Sequence, residues 1–344
     1  MSLSSLKGAI GVGFQSAKGA YAATYEYVPV LQADLQGEQM AQNLPPEVGG
    51  QLFSRGAYKA GVRSKGQVTL LPRPNTVGYF LASIFNSEVV VAAAGHTGLY
   101  DHTFTVGDTA ATPVSWLSLR RMIGGLYGEQ MRDARVGTFR VEAAAANVAQ
   151  AQVQLLGGLF EELPAGDVAA SDDFVFLTCN ADITEGGAPF IVDKVSMDIG
   201  AQLTDNEFRV GSYYLDDITM LQRSASLQAD VRIKSRDLFA KVYRSSAAAP
   251  GAGQTGAWSP VLYRSAVSLE LRTGETDPQF MRFDFPGVDF LTLPVGLSGA
   301  ELVRAQLSAS VTLNADNFNA ADPTGVLQPI TVTLRNKRAT KYAV

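Results

Sequence analysis

The stretch VSLELRT, residues 267–273, alternates apolar and polar side chains without a break. Successive residues of a strand point to opposite faces, so Val267, Leu269 and Leu271 share one face and Ser268, Glu270 and Arg272 the other. A helix would scatter the same three aliphatics around its axis. The stretch therefore reads as a half-buried strand of a largely antiparallel sheet. The same alternation recurs in FRVEA (139–143), AQVQLL (151–156), VSMDIGAQL (195–203), AQLSASVTL (305–313) and ITVTLRN (330–336). A chain with so many such runs is mainly β.

Two segments read as helices instead. TVGYFLASIFNS (76–87) places Val77, Phe80, Leu81, Ile84 and Phe85 on one face at spacings of three and four, with Asn75 as its expected N-cap. SRDLFAKVYRS (235–245) repeats the pattern with Leu238, Phe239 and Val242. Small or acidic residues mark loops at 163–173, 245–258 and 315–325.

The order of elements repeats. GQVTLLP (66–72), the first helix, VSWLSLRRM (114–122), GTFRVEAAA (137–145) and AQAQVQLLGG (149–158) are matched by LQADVRIK (227–234), the second helix, SAVSLELRT (265–273), VDFLTLPVG (288–296) and VRAQLSASV (303–311). AQAQVQLLG and VRAQLSASV are the most similar local pair. This divides the chain into an N-terminal arm and first strand (1–30), a first domain (31–180) and a second domain with a C-terminal tail (181–344).

Composition narrows the function. At 344 residues the chain is 46% hydrophobic and only 18% charged, which suits a surface covered by partners. A net charge of −5 argues against an electrostatic nucleic-acid binder. The single cysteine, Cys179, allows no intramolecular disulfide and reads as a small core residue. MSLSSLKGAIGVGF lacks the apolar core of a signal peptide. The longest apolar run, VVVAAAG (89–95), is too short to span a membrane.

The glycine-rich opening, KGAIGVGFQSAKGAYAATYEYVPV (7–30), raises the question of phosphate binding. A P-loop needs lysine and a hydroxyl after its second glycine, but Lys18 precedes Gly19, and Ala20 and Tyr21 follow it. A dinucleotide loop needs a third glycine where Ser16 stands. The stretch reads instead as an arm: Gly11 and Gly13 give freedom to bend onto a neighbouring subunit, and Tyr21, Tyr25 and Tyr27 supply contacts. The basic tail RNKRATKY (335–342) reads as a mobile terminus or a patch for a neighbour's acidic surface, with Arg335, Lys337 and Arg338 as contact residues.

No catalytic set converges. His96 and His102 read as solvated loop residues, and no G-x-S-x-G elbow occurs. The carboxylate pairs Glu161–Glu162, Asp172–Asp173 and Asp216–Asp217 lie in or beside loops. No catalytic residue, cofactor or metal site is expected. A structural protein is favoured over an enzyme, with a capsid decoration protein or adhesin as the alternative.

Three stretches resemble the major tail tube proteins of long-tailed, non-contractile bacteriophages. They are GAIGVGFQSAKGAYAATYEYVPV (8–30), the segment 192–245 from VDKVSMDIGAQL to AKVYRS, and MRFDFPGVDFLTLPVGLSGAELVRAQLSASVTLNA (281–315) with its Pro-Gly-Val turn. The resemblance implies two tandem β-sandwich or curled-sheet domains, each with a short flanking helix. It further implies stacked rings, trimeric and pseudo-hexameric for a tandem chain, forming a hollow tube in the virion tail, assembled in the host cytoplasm. Its implied partners are other copies of itself, a tape-measure protein, and tail terminator or tip proteins. DNA would pass through the lumen without specific binding, repelled by an acidic lining if the net charge is distributed there. No membrane is implied.

Overall fold

The computed structural model describes residues 8–46, 48, 56–107, 114–123, 127–164, 166, 168–233, 236–246, 256–274, 278–295, 303–312 and 328–343. The expected loop at 315–325 lies outside the described residues, as does 247–255 of the loop at 245–258.

The first half contains β1 (Ala9–Phe14), β2 (Glu26–Val28), β3 (Gln32–Asn43), β4 (Ala57–Leu70), α1 (Gly78–Phe85), β5 (Glu88–Ala92), β6 (Tyr100–Thr105), β7 (Leu117–Ile123), β8 (Tyr127–Ala144), β9 (Gln150–Gly157) and β10 (Leu159–Leu163). The second contains β11 (Leu177–Glu185), β12 (Ala188–Pro189), β13 (Val192–Leu203), β14 (Met220–Arg232), α2 (Asp237–Arg244), β15 (Tyr263–Arg272), β16 (Phe280–Thr292), β17 (Arg304–Val311) and β18 (Thr331–Asn336). The protein is mainly β, and every pairing in the ladders is antiparallel. VSLELRT falls in and just after β15, where Val267, Leu269 and Leu271 are buried and Ser268, Glu270 and Arg272 are not.

The pairing repeats between the halves. In the first, strands run β3–β4–β9–β8 side by side; in the second, β13–β14–β17–β16. One cross-strand row reads Leu35, Gly66, Leu155, Val136, and its counterpart reads Met197, Leu227, Ala309, Phe290. Irregularities repeat as well. Beside β9, β8 holds an extra residue between Val136 and Thr138, and β16 holds one beside β17 between Phe290 and Thr292. A second extra residue separates the pairs Leu117↔Ala134 and Leu119↔Met131, matched by Ser265↔Val288 and Val267↔Phe285. The expected Pro-Gly-Val turn at 286–288 is corrected by this feature. The strand runs through it, and the extra residue is absorbed as a bulge that twists the ladder locally.

The long β8 joins the parts. Its first half pairs with β7 and β10, and its second with β9 and with β13 of the other half. One contiguous core carries Val68, Phe139 and Val153 together with Met197, Leu227 and Phe290. α1 lies inside it and is buried on every side, not on one stripe alone, because β1, β6 and β8 pack around it and Tyr342 covers its start. α2 is amphipathic, with Ala240 and Val242 buried and Lys241 and Arg244 in its last turn. Asn75 does not cap α1. The cap position is Val77, without a side-chain hydrogen bond, while the Asn75 amide donates to Asp173 (2.8 Å) and its Oδ1 accepts from the Lys337 N–H (3.3 Å).

Three further expectations change. Cys179 is exposed, because β11 leaves much of both its faces uncovered. His102 is no loop residue; it is fully buried in β6 beside Phe104. The basic tail packs against the fold through Arg335, Arg338 and Tyr342 and is not a free terminus.

Candidate assembly surfaces

The N-terminal segment is built into the fold. β1 lies between β2 and β7 and is buried along its whole length. Gly11 and Gly13 do not supply bending freedom; they allow close approach. A Cβ at Gly11 would sit 2.8 Å from the Tyr27 ring, and one at Gly13 would sit 2.3 Å from the Thr24 carbonyl oxygen. Gly19 differs: its φ is +84° and the space beside it is open. Gly13→Ala is expected to cost about 1–3 kcal/mol through overpacking. Gly19→Ala is expected to cost about 1–2 kcal/mol through the left-handed backbone alone. Urea unfolding checks both, and a neutral Gly13→Ala would contradict the close approach.

The three tyrosines are occupied within the chain. The Arg132 guanidinium lies 5.3 Å from the centre of the Tyr21 ring, whose hydroxyl is hydrogen-bonded to Glu161. Burial, then Glu161, pushes the Tyr21 phenol up. Arg120 covers the Tyr25 ring at 3.8 Å, and Tyr27 packs on Gly11. The loop between β1 and β2 is pinned further by Lys18–Asp217 (3.1 Å), by Gly19 N–H donating to Asp133 (2.6 Å) and by Arg132 donating to the Gly19 carbonyl (2.7 Å).

The C-terminal tail is a clasp. Arg335 makes two hydrogen bonds to Asp101, at 2.6 and 2.8 Å, and lies over Phe280. Arg338 lies over Tyr342 (4.5 Å) and Tyr79 (5.1 Å) and donates to the Tyr79 hydroxyl (3.0 Å). Tyr342 is buried. Its hydroxyl accepts from Asn336 (2.8 Å) and donates to the Asn75 carbonyl (2.9 Å), and its N–H donates to Glu88 (2.9 Å). His102 lies beneath, with Nε2 donating to the Arg338 carbonyl (2.8 Å) and Nδ1 hydrogen-bonded to Glu88 (2.7 Å). Of the three basic residues expected to make contacts, Lys337 alone is exposed; Arg335 and Arg338 are half-buried.

The second feature is a broad polar sheet face. Opposite the core side of β3, β4, β9, β8, β13, β14, β17 and β16, the alternating positions carry amides, hydroxyls and charges in balance. Glu38 accepts from Lys65 (2.9 Å) and Arg63 (2.7 Å), which in that order hold its carboxyl below the usual range. Glu142 faces Lys194 (2.8 Å) and Arg140 (3.7 Å), and Asp193 faces Arg232 (2.7 Å) and Arg304 (3.5 Å). Gln152, Gln228, Gln306 and Ser308 fill the rows between them.

The third feature is a pair of bare edges. Among the described residues β3 pairs only with β4, so its other side presents unused N–H and C=O groups. The second half of β16 pairs with β17, and beyond Phe290 its other side has no strand among the described residues, where the Leu293 carbonyl accepts from the Tyr243 hydroxyl of α2 (3.1 Å).

Acid titration follows from Asp289, which Arg264 (2.7 Å) and then Thr312 hold below the usual carboxylate range against opposing burial. A depressed carboxyl contributes stability above its unfolded pKa, near 4, and loses it as pH falls through the folded value. Asp289→Asn is therefore expected to flatten the fall in stability below about pH 4. An unchanged acid limb in urea unfolding would refute that.

No group of three or more metal-ligating side chains occurs among the described residues, and none of their helices is long and apolar enough to cross a membrane. What stands out is sheet: a repeated strand order, a polar face and edges without a second strand among the described residues, which together define a strand-built protein. Comparison with protein families gives the phage tail tube protein family over residues 5–333, and the chain belongs to it. It is a structural component of the virion tail tube. Comparison with curated proteins gives no match.

Proposed function

We propose that three copies close into a ring with six similar sheet segments, and that rings stack into the hollow tail tube through which DNA passes. The observation that carries this is the repeated strand order. Inside the chain, β13 of the second half pairs with β8 of the first, and among the described residues the equivalent edges, of β3 and of β16 beyond Phe290, have no second strand. A head-to-tail contact that repeats the internal joint closes by rotation and removes both edges. The units 31–180 and 181–344 are then the two tube domains.

In such a ring the core side of the sheet, with the helices packed against it, faces outward, and the polar face lines the channel. The acidic lining expected from net charge gives way to a balanced one. Glu38, Glu142 and Asp193 each face two cations, so the wall offers DNA neither a field of repulsion nor a run of free cations that would release counterions and hold it. The tape-measure protein is the other occupant of this channel, and terminator and tip proteins cap the tube. Gly11, Gly13, the three tyrosines and the basic tail act on assembly by holding the surfaces that neighbouring copies meet.

Negative-stain microscopy of the purified protein tests the reading. Stacked rings with a central hole and a ring mass of three chains are expected. Monodisperse monomers at high concentration would overturn it.

A further inference from the structure

We propose that the bare edge of β3 on one copy pairs antiparallel with residues 292–295 of the next, with Leu35 opposite Val295, Gly37 opposite Leu293 and Glu38 opposite Thr292. The proposal rests on the ring reading and deepens it to a register.

The register is already present inside the chain. Leu35 occupies in its row the place that Met197 occupies in the matching row: Leu35, Gly66, Leu155, Val136 against Met197, Leu227, Ala309, Phe290. Val295 occupies the place of Val141, because Val295 bridges Ala305 as Val141 pairs Ala151, and Ala305 pairs Val231 as Ala151 pairs Leu70. Within the chain Met197 stands opposite Val141, Ile199 opposite Phe139 and Gly200 opposite Thr138. Carrying each residue to its counterpart gives Leu35–Val295, Gly37–Leu293 and Glu38–Thr292. The repeated bulge after Val136 and after Phe290 keeps the two edges in the same phase, so the faces match as well as the rows.

The chemistry of the two joints differs. The internal joint is tied on its polar side by Arg140 donating to Ser196 (3.1 Å) and by Lys194–Glu142 (2.8 Å). At the matching places the edges carry Pro294 for Arg140, Asp34 for Ser196 and Gln32 for Lys194. The joint between copies therefore depends on the backbone ladder and the Leu35–Val295 contact, not on ion pairs. Proline lacks an N–H and suits an edge that waits exposed before assembly, since it limits pairing with a wrong strand.

Paired cysteines read the register directly, in a Cys179→Ser background. Thr138→Cys with Gly200→Cys is the intrachain reference. Glu38→Cys with Thr292→Cys is the test, and Glu38→Cys with Leu291→Cys is the same joint slipped by one residue. Antiparallel partners place Cα atoms within disulfide range. Oxidised tubes of the test pair are expected to give covalent dimers and trimers with the ladder ending at three, and the slipped pair at least tenfold less product. Tubes that form normally but cross-link no better at the test pair than at the slipped pair would overturn the register and leave the ring reading standing. Absence of rings from the unmodified protein would overturn the ring reading itself. Glu38 is tied to Arg63 and Lys65, so a second measurement uses the unmodified chain: hydrogen exchange at 32–38 is expected to slow at least tenfold in tubes relative to dissociated chains. Unchanged exchange there would overturn the proposal.

Discussion

Replacing His102 with alanine is expected to cost about 3–5 kcal/mol, because truncating a fully buried ring opens a cavity and leaves its buried hydrogen-bond partners unsatisfied. His102 is fully buried, and both ring nitrogens are engaged: Nδ1 with Glu88 and Nε2 with the Arg338 carbonyl. Its removal leaves a cavity beside Glu88 and takes a hydrogen-bond partner from both Glu88 and the Arg338 carbonyl. It also loosens the tail, because the Arg338 carbonyl loses its donor. Urea unfolding should report the energy. Limited proteolysis should report cleavage within 337–343 that the unmodified chain resists. A loss below about 1 kcal/mol, the range of an exposed pair, would mean that the buried arrangement is wrong. Lys337→Ala is the contrast, since its side chain is exposed, and it is expected to leave stability within about 0.5 kcal/mol.

Phe139→Ala is expected to cost a similar amount, about 3–5 kcal/mol, for a different reason. The ring is fully buried in β8, opposite Val153 of β9 on one side and Ile199 of β13 on the other. Truncation opens a cavity where the two halves of the sheet meet, and the surrounding strands are held by ladders on both sides and cannot collapse into it. Thermal and denaturant unfolding should both register the loss. Phe139→Leu, which keeps most of the volume, should recover more than half. If alanine and leucine behave alike, the cavity account fails.

The comparison of sequence with structure turns on range. Alternation is local, so VSLELRT declared its strand and its buried face without help from the rest of the chain. The match of AQAQVQLLG with VRAQLSASV was legible for the same reason: β9 and β17 carry it, and they occupy matching places in the two rows. The strand and helix classes followed from periodicity, and the family resemblance followed from their order.

Close approach was not legible. The sequence spacing of Gly11 and Gly13 looks like flexibility, and only the positions of Tyr27 and Thr24 show that these glycines are there because nothing larger fits. His102 interrupts the apolar pattern of β6, so composition placed it in a loop; it is buried because Glu88 and the Arg338 carbonyl satisfy its nitrogens. Asn75 had the residue type and position of a cap, but the tail and Asp173 compete for its amide. The tail looked mobile because its anchors, Asp101, Glu26 and Tyr79, are more than 200 residues away in sequence. By itself, then, the sequence determined that the alternating segments are strands, which face of each of those is buried and that their order occurs twice. The tertiary structure alone decided which strands meet, which edges are left bare and which polar groups find partners, because those outcomes depend on distances between segments that no local pattern records.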